Sequence, residues 1–226
     1  IIIKNKKTME NLESGLARLA SPLNKIIHKR RQNSIKGSKK NILAHYDLSN
    51  DFYQLWLDST MTYSCGVFLN DDSSMKEASI EKIDRFCRKL KLTKDDKVLE
   101  IGTGWGSFAL HAARNYGCHV TTTTISDNQF SYVSDLISKE NLWPKITLLN
   151  SDYRELEGSY DKIVSIEMIE AVGPDHVSGF FNKVSSLLRP SGLMALQGIT
   201  YNDPDFEAYK NSVDFIKKYI FPGGCL

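Results

Sequence analysis

The residues best suited to chemistry fall in a few short strings, and the richest runs from Val98 to Gly106. Val98-Leu99-Glu100-Ile101-Gly102-Thr103-Gly104-Trp105-Gly106 passes from an apolar stretch into three alternating glycines, and a helix-like run, Ser107 to Tyr116, follows at once. Gly102 and Gly104 permit a sharp turn and leave room for a ligand against the main chain, while Gly106 lets the helix start close to the strand. The spacing is Gly-x-Gly-x-Gly rather than Gly-x-Gly-x-x-Gly, so a pyrophosphate seat is the weaker reading. An adenosine-bearing cofactor without a diphosphate suits it better, with S-adenosylmethionine the first candidate. A strand–turn–helix whose glycines only save space would be spelled the same way.

Further strings would complete such a crevice. Thr121-Thr122-Thr123-Thr124-Ile125-Ser126 ends a second strand, with Gln129 one helical turn on. Thr124 and Gln129 can bond ribose hydroxyls, with less charge assistance than the usual carboxylate. Glu100 can face the amino-acid end of a sulfonium cofactor. Asp152 can accept from an adenine amine, and Tyr153 can stack on the base. Glu167 and Glu170 bracket Met168-Ile169 after a fourth strand, and two carboxylates there are more than stability needs. In Tyr63-Ser64-Cys65-Gly66, Cys65 has no nearby histidine, so a hydrogen-bonding role is better supported than a thiolate nucleophile. His45, His111, His119 and His176 make no metal set with cysteines or carboxylates, and no metal is expected.

These strings need elements to hold them. Strand signals fall at 97–101, 118–124, 146–150, 161–166 and 192–198, and helix signals at 106–116, 127–139, 175–188 and 206–218. Alternation of this kind predicts an α/β fold, a mostly parallel sheet in three layers. Pro190-Ser191-Gly192 reads as a turn into the fifth strand. Ahead of the sheet, Asp47 or Ser49 caps a helix over 50–57, and Ser74 precedes a helix over 75–90. A sheet of this type normally carries two more strands, so the chain is expected to be incomplete at its C-terminus.

Hydrophobic residues at 41% and charged residues at 25% describe an ordinary globular chain, and no apolar run reaches membrane-spanning length. A chain opening Ile-Ile-Ile-Lys without Met suits a fragment, with no signal peptide expected. Four scattered cysteines fit a reducing compartment, which points to the cytoplasm. The net charge of +2 hides a balance of +9 over residues 1–40 and −7 over the rest. We therefore divide the chain into a basic arm, 1–40, and a catalytic domain, 41–226. Leu12, Leu16, Leu19 and Leu23 predict an amphipathic helix within 9–28. Such an arm is drawn to anionic surfaces; without interleaved aromatics, a membrane surface is favoured over nucleic acid.

Beyond these readings, the chain resembles the cyclopropane-fatty-acyl-phospholipid synthases and their mycolic-acid methyltransferase relatives. The matching strings are His45-Tyr46-Asp47-Leu48-Ser49-Asn50-Asp51-Phe52-Tyr53, Met61-Thr62-Tyr63-Ser64-Cys65, Val98 to Gly106, and Ser126-Asp127-Asn128-Gln129. Ser165-Ile166-Glu167-Met168-Ile169-Glu170 and Lys218-Tyr219-Ile220-Phe221-Pro222-Gly223-Gly224 match as well. The resemblance implies a Rossmann-like class I S-adenosylmethionine methyltransferase fold. It also implies methylene transfer to the cis double bond of an unsaturated phospholipid acyl chain, forming a cyclopropane at a membrane surface. It assigns Tyr63, Ser64, Gly102, Gly104, Thr124, Gln129 and Tyr153 to the cofactor, and Cys65, Glu170 and Ile199 to a bound bicarbonate. Gln197 stands where the family usually has a bicarbonate-binding histidine, and Glu170-Ala171 where Glu-His is common, the mark of a variant subgroup. A methyl-branched lipid product, a small-molecule acceptor and a non-catalytic lipid- or cofactor-binding module stay open, as does a homodimer.

Overall fold

The computed structural model describes residues 49–213, Lys217 and Gly224. Five strands, β1 (Lys97–Ile101), β2 (His119–Thr124), β3 (Ile146–Asn150), β4 (Tyr160–Ile166) and β5 (Leu188–Gln197), form one sheet. All are parallel, in the order β3-β2-β1-β4-β5. Six α-helices accompany them among the described residues: α1 (Asn50–Gln54), α2 (Met75–Leu90), α3 (Ser107–Tyr116), α4 (Asp127–Lys139), α5 (Val177–Leu187) and α6 (Asp203–Lys210).

The two-residue period of β1 sorts its side chains between two cores. Val98 joins a core built with Ile83 and Cys87 of α2, Phe108 of α3 and Val133 of α4. Leu99 and Ile101 point the other way, into a core with Phe180, Val184 and Leu187 of α5. Central β1, buried on both faces from Val98 to Ile101, reads as a nearly apolar run, which is why the sequence displays it so clearly. The chain winds outward from β1 to β3, then crosses back to β4 on the far side of β1. The helices that follow β1 and β4 therefore leave toward opposite faces and open a crevice at the carboxyl ends of these strands.

α2 is fastened before it packs. The Ser74 hydroxyl accepts from Glu77 N–H, and the Glu77 carboxylate accepts from Ser74 N–H at 2.8 Å, a reciprocal cap. Lys91 ends the helix in the left-handed region, at φ 53°.

Some expected bounds shift. Ser49 caps a helix of one turn, Asn50–Gln54, shorter than 50–57; Asp47 lies outside the described residues. A short 3₁₀ turn, Pro174–His176, replaces the start of the helix expected at 175. β5 begins at Leu188, paired with Tyr160, and the Pro190-Ser191-Gly192 bend is a register irregularity inside it. α6 starts at Asp203, where Pro204 suits a first turn, and stops at Lys210 rather than 218. The arm 1–40 and the amphipathic helix expected within 9–28 lie outside the described residues.

Candidate active site

The glycine turn sits at the mouth of the crevice. All three glycines have positive φ: Gly102 +97°, Gly104 +53° and Gly106 +88°. A Cβ on Gly102 would come within 3.0 Å of Met168, whereas one on Gly104 would meet nothing within 4 Å. Gly104 thus borders open space. Gly106 is different: a Cβ there would press Val133 at 3.2 Å, so it serves the packing of α3 on α4 and does not line the cleft.

Nine of the residues expected to hold cofactor line this one cleft: Tyr63, Ser64, Glu100, Gly102, Gly104, Thr124, Gln129, Asp152 and Tyr153. Thr124 Oγ donates to Gln129 Oε1 at 2.8 Å. That bond turns Gln129 Nε2 away, and this buried donor has no partner. Asp152 is held by Arg154, whose Nε and Nη2 donate to its two oxygens at 2.8 and 2.6 Å. Tyr153 stands edge-on to Phe180, ring centroids 5.4 Å apart. On the opposite wall, Tyr63 packs among Tyr53, Trp56 and Trp105 at 5.3–6.3 Å between centroids. Trp105 Nε1 donates to Asn50 Oδ1 at 3.0 Å, which ties α1 to the turn.

Two ionisable side chains of the cleft, Glu100 and Lys82, are buried. Glu100 is buried and accepts from the Thr122 hydroxyl at 2.6 Å. Desolvation outweighs that bond and the attraction of Lys82, and pushes its carboxyl up to about 8. Lys82 was not singled out from the sequence, yet its side chain is buried and lines the cleft. Its ammonium donates to Ser64 Oγ at 2.5 Å, and burial depresses its pKa against the pull of Glu167, Cys65, Glu100 and Asp58. A signal existed: Lys82 falls on the helical face of Ala78, Ser79, Ile83, Cys87 and Leu90, all buried. A lysine in phase with an apolar stripe is a lysine sent indoors.

Cys65, Gln197, Glu170 and Ile199 meet at the ends of β4 and β5, beside the cleft, through two glutamates. Glu167 Oε1 accepts from Cys65 N–H at 3.0 Å and from Gln197 Nε2 at 2.6 Å. Gln197 Nε2 also reaches Cys65 Sγ at 3.2 Å. Glu170 Oε1 accepts from Ile199 N–H at 2.6 Å, while its buried Oε2 has no partner. Burial pushes the Glu170 carboxyl up. Desolvation and the adjacent Glu167 likewise push the Cys65 thiol up, which disfavours a thiolate. This donor set does not fit bicarbonate, because the chain's own carboxylates already take its N–H groups. Glu167, read from the sequence as one of two useful carboxylates, proves to be the hub.

The family described as Mycolic acid cyclopropane synthetase matches residues 33–226. A probable fatty acid methyltransferase of Pseudomonas putida is 38% identical over 198 residues, 86% of this chain and 50% of that protein. A tuberculostearic acid methyltransferase of Mycobacterium tuberculosis is 37% identical over 196 residues, 84% of this chain and 46% of that protein. The chain thus spans about half the length of these two curated relatives. Among solved structures, the cyclopropane synthase MmaA2 from Mycobacterium tuberculosis superposes with a TM-score of 0.75 at 33% identity, covering 82% of this chain and 68% of that one. The sheet and its flanking helices are those of a Rossmann-like class I S-adenosylmethionine methyltransferase.

Proposed function

Because the chain belongs to the mycolic acid cyclopropane synthetase family, we propose that it transfers a methylene group from S-adenosylmethionine to the cis double bond of an unsaturated phospholipid acyl chain, forming a cyclopropane. The cleft at Gly104 carries this reading, since it combines open space at the turn with a buried, unpartnered donor on Gln129. A nucleoside carrying an amino acid suits those groups. Gln129 Nε2 would donate to a ribose hydroxyl, and Tyr153 would stack beside the base. Glu100, once ionised by a cationic neighbour, would accept from the α-ammonium, and Ser64 would bond the same end of the ligand. When bound, S-adenosylmethionine supplies an electrophilic methyl group.

The chain's own residues would then keep water out. Tyr53, Met61 and Trp105 form a buried cluster against Tyr63, a dry wall suited to an alkene and to the cation it becomes. Phe52 on α1 and Leu55 and Trp56 in the turn after it are exposed beside that wall, apolar groups at a level where an acyl chain could enter. With the basic arm, they support peripheral attachment to a cytoplasmic membrane face. Among the described residues no helix is long and apolar enough to cross a membrane.

Gln197 favours a second reading, a methyl-branched product from a variant subgroup, because loss of the usual histidine alters how the cation is quenched. Both relatives quoted by sequence are named methyltransferases of fatty acids. The decisive assay supplies isotopically labelled S-adenosylmethionine and unsaturated phospholipid vesicles, then reads the lipids by mass spectrometry. A gain of one CH₂ is expected, and ring-opening chemistry distinguishes cyclopropane from branched alkene. An unchanged lipid pool beside an active control enzyme overturns the proposal.

A further inference from the structure

The proposed reaction needs a group to take a proton, and the geometry places one inside the chain. Every N–H donor of the set assigned to bicarbonate is spent. Cys65 N–H and Gln197 Nε2 donate to Glu167, and Ile199 N–H donates to Glu170. A further anion there would meet two carboxylates and find no free N–H within the set. Glu167 itself lines the cleft. Its backbone sits at φ +49°, a region strained for a non-glycine residue and one that functional sites commonly tolerate. Glu167 N–H donating to Gln197 O at 2.9 Å helps hold that conformation, so Gln197 grips Glu167 through both backbone and side chain. The Lys82 ammonium supplies a favourable charge nearby.

We propose that the Glu167 carboxylate is the proton acceptor of this chain, in place of a bound bicarbonate; the inference rests on the reaction proposed above. The alkene π pair would form the new C–C bond to the methyl group, and the C–S pair would stay with sulfur. A cation then remains on the neighbouring acyl carbon. Glu167 takes a proton from the transferred methyl, the C–H electron pair closes the ring, and the cation is discharged. Glu167, now the acid, returns its proton to water. Loss of a different proton to the same carboxylate would leave an alkene bearing the new carbon as a branch.

The test compares lipid product in buffer stripped of bicarbonate and in buffer supplied with it, using the full chain and unsaturated phosphatidylglycerol vesicles. Wild-type turnover is expected to be the same in both. Glu167→Gln should lose at least about a hundredfold, the usual worth of a general base, with S-adenosylhomocysteine affinity by calorimetry within about threefold of wild type. Glu167→Gly keeps the fold because glycine favours this φ, and formate should restore part of its activity. Bicarbonate dependence of the wild type, or full activity of Glu167→Gln, overturns the assignment. A second readout needs no turnover: the ¹³C line of labelled bicarbonate mixed with wild-type protein and S-adenosylhomocysteine. An unbroadened line upholds the assignment, and broadening overturns it. Absence of product under every condition counts against the proposed reaction alone.

Discussion

Glu100 couples the cleft to pH. Its ordinary value of 4.5 is raised to about 8 in the folded chain, so between those limits only the folded state holds the proton. Unfolding then releases a proton, and stability falls as pH rises through this window, by about 1.4 kcal/mol per unit. Above pH 8 the loss levels off. Urea unfolding from about pH 5 to pH 9 should show this decline, and Glu100→Gln should flatten it; equal slopes in both proteins would exclude Glu100 as its source. Gly104 tests the cleft by volume. Gly104→Val should cost about 1–2 kcal/mol of stability for a left-handed backbone, since no atom crowds the new Cβ. Its larger effect should be on S-adenosylhomocysteine affinity, reduced more than about tenfold in calorimetry by a side chain standing in the ligand's space. Unaltered affinity would move the ligand away from this turn.

At the scale of elements, α2 is the delivery device of the site. It packs Ile83, Cys87 and Leu90 into the first core and so fixes where Lys82 must end, under Ser64 and near Glu100. Its capping box holds the end of the helix, so Ser74→Ala should destabilise the protein by about 1 kcal/mol in chemical unfolding, without changing the slope of the transition. Loss of Glu77 should give a similar effect, and the double variant less than the sum, because the two side chains satisfy one another's backbone. An additive double variant would mean that the two bonds act independently.

For the molecule as a whole, we propose that charge and exposed apolar groups bring it to lipid. Residues 1–40 carry +9 against −7 on the rest, and attraction to an anionic leaflet is worth up to about 1 kcal/mol per well-placed Lys or Arg. Partitioning onto anionic vesicles should therefore exceed that onto neutral ones, weaken with salt, and fall when residues 1–40 are removed. A residual salt-insensitive part should fall with Leu55→Ser and Trp56→Ser, since these side chains are 82% and 50% exposed. Equal binding with and without the arm would assign attachment to the exposed residues of 52–56 and the cleft rim alone.

The five strands, the glycine turn, the cap at Ser74 and most cleft residues were legible from the chain, because each depends on short-range rules. Backbone freedom at Gly102 and Gly104, burial on both sheet faces and helix capping are written within a few neighbouring residues. The cluster at Glu167 was legible only in pieces. Cys65, Glu167 and Gln197 are 132 residues apart from end to end, and their bonds exist only because β4 and β5 pair in one register. Sequence named the carboxylates and the glutamine; tertiary structure decided that they satisfy each other. It also placed the Lys82 charge beside them, since burial, unlike spacing, is a property of the packed whole.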